Sequence, residues 1–354
     1  MMISLNQFIN SRDNNFNLLR FLAALGVFIS HTFPIAGFGL GGKAQLLGHV
    51  SVNIFFLISG FLVTKSLLQR DNLRSYFLAR GLRVFPALIV AVLFTVFVVG
   101  LLLTTSSPFD YLTDDRVYVY WLKNSLLVLP NIPTDLPGLF VDSNHRPIAN
   151  GPLWTLPYEL ACYVILAFVF FITRINSTRK ILLLVAISLF IFCFTVYVVN
   201  QITQTDQLAY FLNKETYRLF AMFNLGVVVY LMRQRIQLSF RVLFFSLIIF
   251  LLTLLYRPLS IISFYLVIAY CVFWFAYIPK GKIRLFNRIG DYSYGIYIFA
   301  YPIQQGVAQL IPGLSLLGHF LISFSLTCIL AFFSWHLIEA RALQLKTKRL
   351  IEVG

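Results

Sequence analysis

Long apolar runs alternate with short basic segments from end to end, and this pattern predicts a series of membrane-spanning helices. Runs long enough to cross a bilayer fall near 16–35, 49–68, 84–104, 153–173, 181–200, 217–232, 242–257, 261–278, 291–311 and 317–338. Those near 217–232 and 242–257 are short, with Arg218 and Arg257 at their edges. The first run, Phe16 to Pro34, carries an arginine and a histidine, Arg20 and His31, where lipid tolerates neither. Eleven residues of α-helix are about three turns, ~16 Å of rise and only ~20° of rotation, so the two share a face. Ala23, Ala24, Val27 and Ser30 lie along or beside that stripe, and small residues let backbones approach. The stripe is expected to point into protein.

Composition fixes the class: 59% of the 354 residues are hydrophobic and only 12% charged, as in a polytopic, all-α integral membrane protein. A formal charge of +15 would suit nucleic acid on a soluble domain, but here the basic residues sit between apolar runs. With the N-terminus inside, only Lys43, Arg116, Lys123, Arg146, Lys214, Arg218 and Arg257 of the 28 Lys and Arg fall outside. That bias predicts an even number of spans, about ten, with both termini cytoplasmic and no nucleic-acid partner. Met1 to Asn15 is polar and shows no cleavable signal peptide. The four cysteines, Cys162, Cys193, Cys271 and Cys328, lie inside apolar runs and read as small hydrophobes.

The chain reads as one membrane domain, 1–354, with a single long external loop at 105–150. That loop gathers Asp110, Asp114, Asp115, Asp135 and Asp142, and its stretch from Tyr118 to Leu129 is aromatic and aliphatic. A loop of this length is often a functional lid, and it is the expected place of substrate selection. GFGLGGKA at 37–44 resembles a phosphate loop but lacks the hydroxyl residue after lysine, and it reads as a turn. No His, Cys and Asp spacing suits a metal, and no tightly bound cofactor is expected.

His31 is either glue between helices or a proton acceptor facing a polar cavity, since imidazole with an ordinary pKa of about 6.5 is a base near neutrality. Arg80 and Arg83 in YFLARGLRVFP are three apart and share a helix face. They either anchor the boundary on lipid phosphate or clamp a phosphorylated ligand with paired donors. Glu159, in GPLWTLPYELACY, is a carboxylate just inside a span, flanked by Trp154 and Tyr158. Its cost unless paired favours a substrate or proton role. Asn53 and Ser59 are polar within the second run; with Trp154 and Tyr158 they complete the candidates for substrate contact, although Ser59-Gly60 by itself reads as close packing. His145 is a loop histidine within reach of substrate or of solvent.

Together these pieces resemble the acyltransferase 3 family, bacterial membrane O-acyltransferases of cell-surface glycans. NLLRFLAALGVFISH, NIFFLISGFL, ARGLRVFP, GPLWTLPYE, GDYSYGIYIFAYPI and SWHLIEARAL occur in the family's order over nearly the whole chain. The resemblance implies about ten inner-membrane helices and transfer of an acyl group, usually acetyl, from cytoplasmic acyl-CoA to a hydroxyl of a glycan or lipid-linked sugar. By position, Arg20 and His31 match the family's first-helix pair, Arg80 and Arg83 its arginine pair, and Glu159 its fourth-span glutamate. Ala300 and Tyr301 stand where a histidine is common, and Asn53 where an acidic residue is frequent; these departures bear on substrate choice. The mechanism this suggests has His31 as general base or acyl relay, Arg20 against negative charge, Arg80 and Arg83 on coenzyme phosphates, and Glu159 orienting the acceptor. A flippase of a lipid-linked sugar or acyl group is the rival reading, because it too needs polar inner faces.

Overall fold

The computed structural model describes residues 3–9, 11, 13–39, 42–70, 72–128, 131–173, 178–203 and 213–351. Arg12 and Arg174 of the charge pattern, Leu40 and Gly41 of the glycine-rich turn, and Leu129 of the loop lie outside them. The described chain is helical, apart from one short antiparallel pair, β1 (Ile3–Ser4) with β2 (Gln237–Leu238). In order come α1 (Phe16–Ile35), α2 (Gly42–Arg70), α3 (Leu73–Leu103), α4 (Pro108–Thr113) and α5 (Asp115–Leu126). They are followed by α6 (Leu156–Thr173), α7 (Thr178–Thr203), α8 (Lys214–Leu231), α9 (Phe240–Thr253) and α10 (Arg257–Tyr277). The last are α11 (Ser293–Leu310), α12 (Leu316–Phe333) and α13 (Ala340–Ile351), the final two joined by the π-helical turn Ser334–Glu339.

Among the described residues, seven helices are long and apolar enough to cross a membrane: α1, α2, α3, α6, α7, α10 and the continuous α12–α13 rod. The other three predicted runs are helical for different reasons. α8 carries Lys214, Glu215 and Arg218 in its first turns. The 14 residues of α9 give only ~21 Å of rise. In α11 every residue from Gly295 to Val307 is buried, so it needs no lipid-facing surface and accommodates Gln304 and Gln305. The expected loop at 105–150 has structure of its own in α4 and α5, capped by Ser107 and Asp114 side chains.

The chain forms two compact units, the first made of Met1–Arg20, Val52–Asp71 and Leu160–Ile289, the second of Phe21–Ser51, Asn72–Glu159 and Gly290–Gly354. In the first, α2 and α8 meet at glycine. A methyl group on Gly60 would lie 2.0 Å from the Phe223 carbonyl oxygen, and one on Gly226 would lie 2.2 Å from that of Leu57. The Ser59-Gly60 pair therefore serves backbone contact, the packing geometry of small residues between membrane helices. Phe16, Phe61, Tyr230, Phe273 and Tyr277 pack around that crossing. In the second unit α11 is the central post. α3 widens into a π-helix at Phe94–Gly100, and the Tyr111 hydroxyl donates to the Val96 carbonyl at 3.0 Å, satisfying backbone the irregular turn exposes.

Candidate active site

His31 belongs to the second unit. Its Nδ1 lies 3.0 Å from the Val27 carbonyl, which only a protonated nitrogen can satisfy, so Nε2 carries the lone pair. Nε2 has no hydrogen bond among the described residues. The ring stands edge-on to Tyr301, 84° between planes and 5.1 Å between centroids, and His145 lies 6.5 Å from the same tyrosine. Tyr301, where the family resemblance expects a nearby histidine, thus packs directly on the predicted base. It fits there because the GPLWT segment that passes its ring begins with glycine: a methyl group on Gly151 would come within 2.9 Å of the ring.

The loop is tied down around this point. Ser143 Oγ donates to Gln305 Oε1 at 2.5 Å, Gln305 Nε2 donates to the Arg146 carbonyl at 3.0 Å, and Asn144 Nδ2 donates to the Ile35 carbonyl at 3.3 Å. These bonds hold His145 beside α11, and burial followed by the Arg146 charge lowers its pKa below the usual imidazole value. His145 and Tyr301 are the two residues of this cluster that spacing alone did not pair with His31; the substitution at the family's histidine position was the available signal.

GPLWT forms a 3₁₀ turn docked on α11, with Asn150 Nδ2 donating to the Ile298 carbonyl at 2.8 Å and the Tyr297 hydroxyl donating to that of Pro152 at 2.9 Å. Trp154 is exposed and meets Tyr158 edge-on at 5.9 Å. Glu159 is half-buried in the first turn of α6.

Arg80 and Arg83 lie well inside α3, which begins at Leu73, rather than at the edge of a span opening at 84. Arg83 Nη2 donates to Asp291 Oδ2 at 2.6 Å, and Nη1 approaches Glu339 Oε2 at 3.5 Å. Glu339 ends the π-helical turn and accepts from Ser334 Oγ at 2.9 Å. Arg83 is accordingly held by two carboxylates, each less than a tenth exposed.

Arg20, Asn53 and Ser59 belong to the first unit. Arg20 is half-buried on α1. Asn53 is buried, and its carbonyl oxygen accepts from Nη1 of Arg218, itself only 1% exposed. Arg218 Nε donates to Glu215 Oε2 at 2.7 Å, and Tyr265 donates to the Tyr197 hydroxyl at 2.9 Å nearby in the core. The place where the family often has an acidic residue is therefore occupied by an amide whose partner is a buried arginine.

Seven helices among the described residues, long and apolar enough to cross a membrane, mark a multi-pass membrane protein. The chain belongs to the acyltransferase family: the model described as an acyltransferase domain matches residues 13–336, which include every predicted site residue and stop short of Glu339. It is similar to an O-acetyl transferase of Shigella phage Sf6, 25% identical over 354 positions covering 96% of this chain and 98% of that protein. Nodulation protein 10 of Rhizobium leguminosarum bv. viciae is 35% identical over 171 residues, 46% of this chain and 45% of its own. Acyltransferase MdmB of Streptomyces mycarofaciens is 29% identical over 152 residues, 41% of this chain and 36% of its own. No solved structure matches the chain significantly.

Proposed function

We propose that this protein is a membrane O-acyltransferase that moves an acyl group, most simply acetyl, from acyl-CoA to a hydroxyl of a cell-surface or lipid-linked sugar. The observation that carries the reading is the tautomer of His31, whose Nδ1–H is spent on Val27 so that Nε2 is the acceptor. Nε2 takes the proton of the sugar hydroxyl as the oxygen attacks the thioester carbonyl. The carbon–sulfur bond then breaks, the imidazolium returns its proton to the departing thiolate, and the products are the sugar ester and free coenzyme A. Arg20 offsets negative charge along the route, and Glu159 orients the acceptor. Arg80 and Arg83 meet coenzyme phosphate, and Asp291 and Glu339 hold the Arg83 guanidinium in position. The bias of basic residues supports an inner-membrane orientation with both termini and the donor on the cytoplasmic side.

The test is purified protein in lipid nanodiscs with labelled acetyl-CoA and a crude glycan acceptor. Label on the sugar supports the reading, and it should vanish in His31→Ala at unchanged protein level. Sugar moving across reconstituted vesicles without being modified would favour a flippase and overturn it.

A further inference from the structure

The second unit holds a cavity of ≈590 Å³ between the end of α1, the 140–144 segment and the α11–α12 connection. Its size lies within the ~300–1,000 Å³ usual for small-molecule sites. It differs from the rest of the membrane core in its lining. Asp142 offers a carboxylate with no hydrogen bond or ion pair among the described residues. Asn144 and Gln309 add carboxamides that each spend one N–H on a backbone carbonyl, of Ile35 and of Leu103, and keep an N–H and the carbonyl oxygen for a guest, while Gln305 is used on Ser143, Arg146 and Tyr301. Phe38, 42% exposed, contributes an aromatic face at the wall. His319 is 1% exposed, and its Nε2 is used on the Gln304 carbonyl at 2.9 Å. Its Nδ1 is buried without a hydrogen-bond partner among the described residues and is shut off from the cavity, so His319 gives the wall its shape rather than a contact.

A carboxylate that accepts, two carboxamides that do both, one aromatic platform and no cationic side chain among the described lining residues make a specific request. They suit an uncharged molecule with several adjacent hydroxyls and a C–H face to lay on a ring. They disfavour phosphates and uronates, which would meet Asp142 with like charge. Two residues link the cavity to His31. Gln305 lines it while reaching the Tyr301 hydroxyl at 3.5 Å, and Tyr301 is the ring against which His31 stands.

We propose that this cavity is a subsite for a neutral sugar residue of the acceptor, gripping a ring that does not react so that its neighbour presents a hydroxyl to His31. The proposal rests on the acyl-transfer reading for its purpose, but the binding it asserts can be measured alone. The experiment uses the whole protein in nanodiscs and saturation-transfer NMR with methyl glycosides of glucose, galactose and rhamnose, and with methyl glucuronoside as the anionic control. At least one neutral glycoside should receive saturation while the glucuronoside does not. Asp142→Asn and Phe38→Leu, both at exposed positions, should each reduce the signal about tenfold, whereas His31→Ala should leave it intact. Absence of any neutral glycoside signal, or a signal unchanged from the parent protein in both cavity variants, overturns the subsite. Release of coenzyme A from acetyl-CoA, measured in the same samples, separates the two ideas. Glycoside binding without release keeps the subsite and removes the transferase reading; glycan acetylation with an acceptor KM unchanged in both variants does the reverse.

Discussion

The Arg218 cluster of the first unit and the His31 cluster of the second put ionisable groups into apolar helices and treat them in opposite ways. Arg218 is closed: Glu215 takes its Nε–H, Asn53 takes an Nη–H, and almost none of it meets solvent. His31 is half-open: Val27 holds Nδ1, Tyr301 supports the ring, and Nε2 is left with its lone pair. A closed cluster ties helices together and can do little else, because its charge is paired within the protein and shut off from solvent. A half-open one has fixed geometry and one unused valence, which is what general-base chemistry requires.

The largest expected effects test that contrast directly. His31→Ala should cut acyl transfer by ~10²–10⁴-fold while thermal unfolding of the purified protein stays within experimental scatter. Arg218→Leu should do the opposite, costing ~3–5 kcal/mol of stability because Glu215 is stranded, with activity per folded molecule largely kept. Adding Glu215→Gln to that variant should recover most of the loss, read as the midpoint of unfolding in detergent. A stable but inactive Arg218→Leu protein would move the chemistry into the first unit.

A smaller effect separates Arg80 from Arg83 on α3. Arg83→Ala leaves Asp291 and Glu339 facing each other without a cation and should lower stability, with partial rescue when Asp291→Asn and Glu339→Gln are added. Arg80→Ala should instead raise the KM for acyl-CoA by about tenfold, the loss of one charge-assisted contact, at unchanged unfolding temperature. Reversal of the two outcomes would leave phosphate binding to Arg83 alone.

What the sequence made legible follows from distance along the chain. The Ser59-Gly60 contact and the apolar runs are local or periodic, and a helix stands at each run, although among the described residues seven rather than ten are long and apolar enough to span and α3 begins at Leu73 rather than near 84. The partners of the polar residues are not local: Asn53 meets Arg218 across 165 positions, and Arg83 meets Glu339 across 256. Nothing in composition or period encodes those pairings. α11 was legible as a helix but not as a buried post, because its glutamines lower its hydropathy while the neighbouring elements supply their hydrogen-bond partners. Likewise, a loop histidine looks solvated until Gln305, 160 residues away, is seen to fasten its neighbours Ser143 and Arg146.

That histidine gives the finest test of where the open cluster ends. Burial, and after it the Arg146 charge, place the pKa of His145 below the ordinary value of about 6.5. The folded loop therefore takes up its proton at a lower pH than the detached loop. Between the two values the detached form binds more protons, so by linkage the attachment weakens as pH falls. The penalty is absent above about pH 6.5 and complete once pH has dropped below the folded value. Amide exchange over residues 140–150, corrected for intrinsic chemistry, should quicken as pH falls below about 6.5, with the Ser143 and Arg146 contacts to Gln305 the ones released. His145→Gln should flatten that dependence. If the glutamine variant loosens with acid as the parent does, the proton is taken up elsewhere on the loop, and His145 belongs to its scaffold rather than to the cluster around His31.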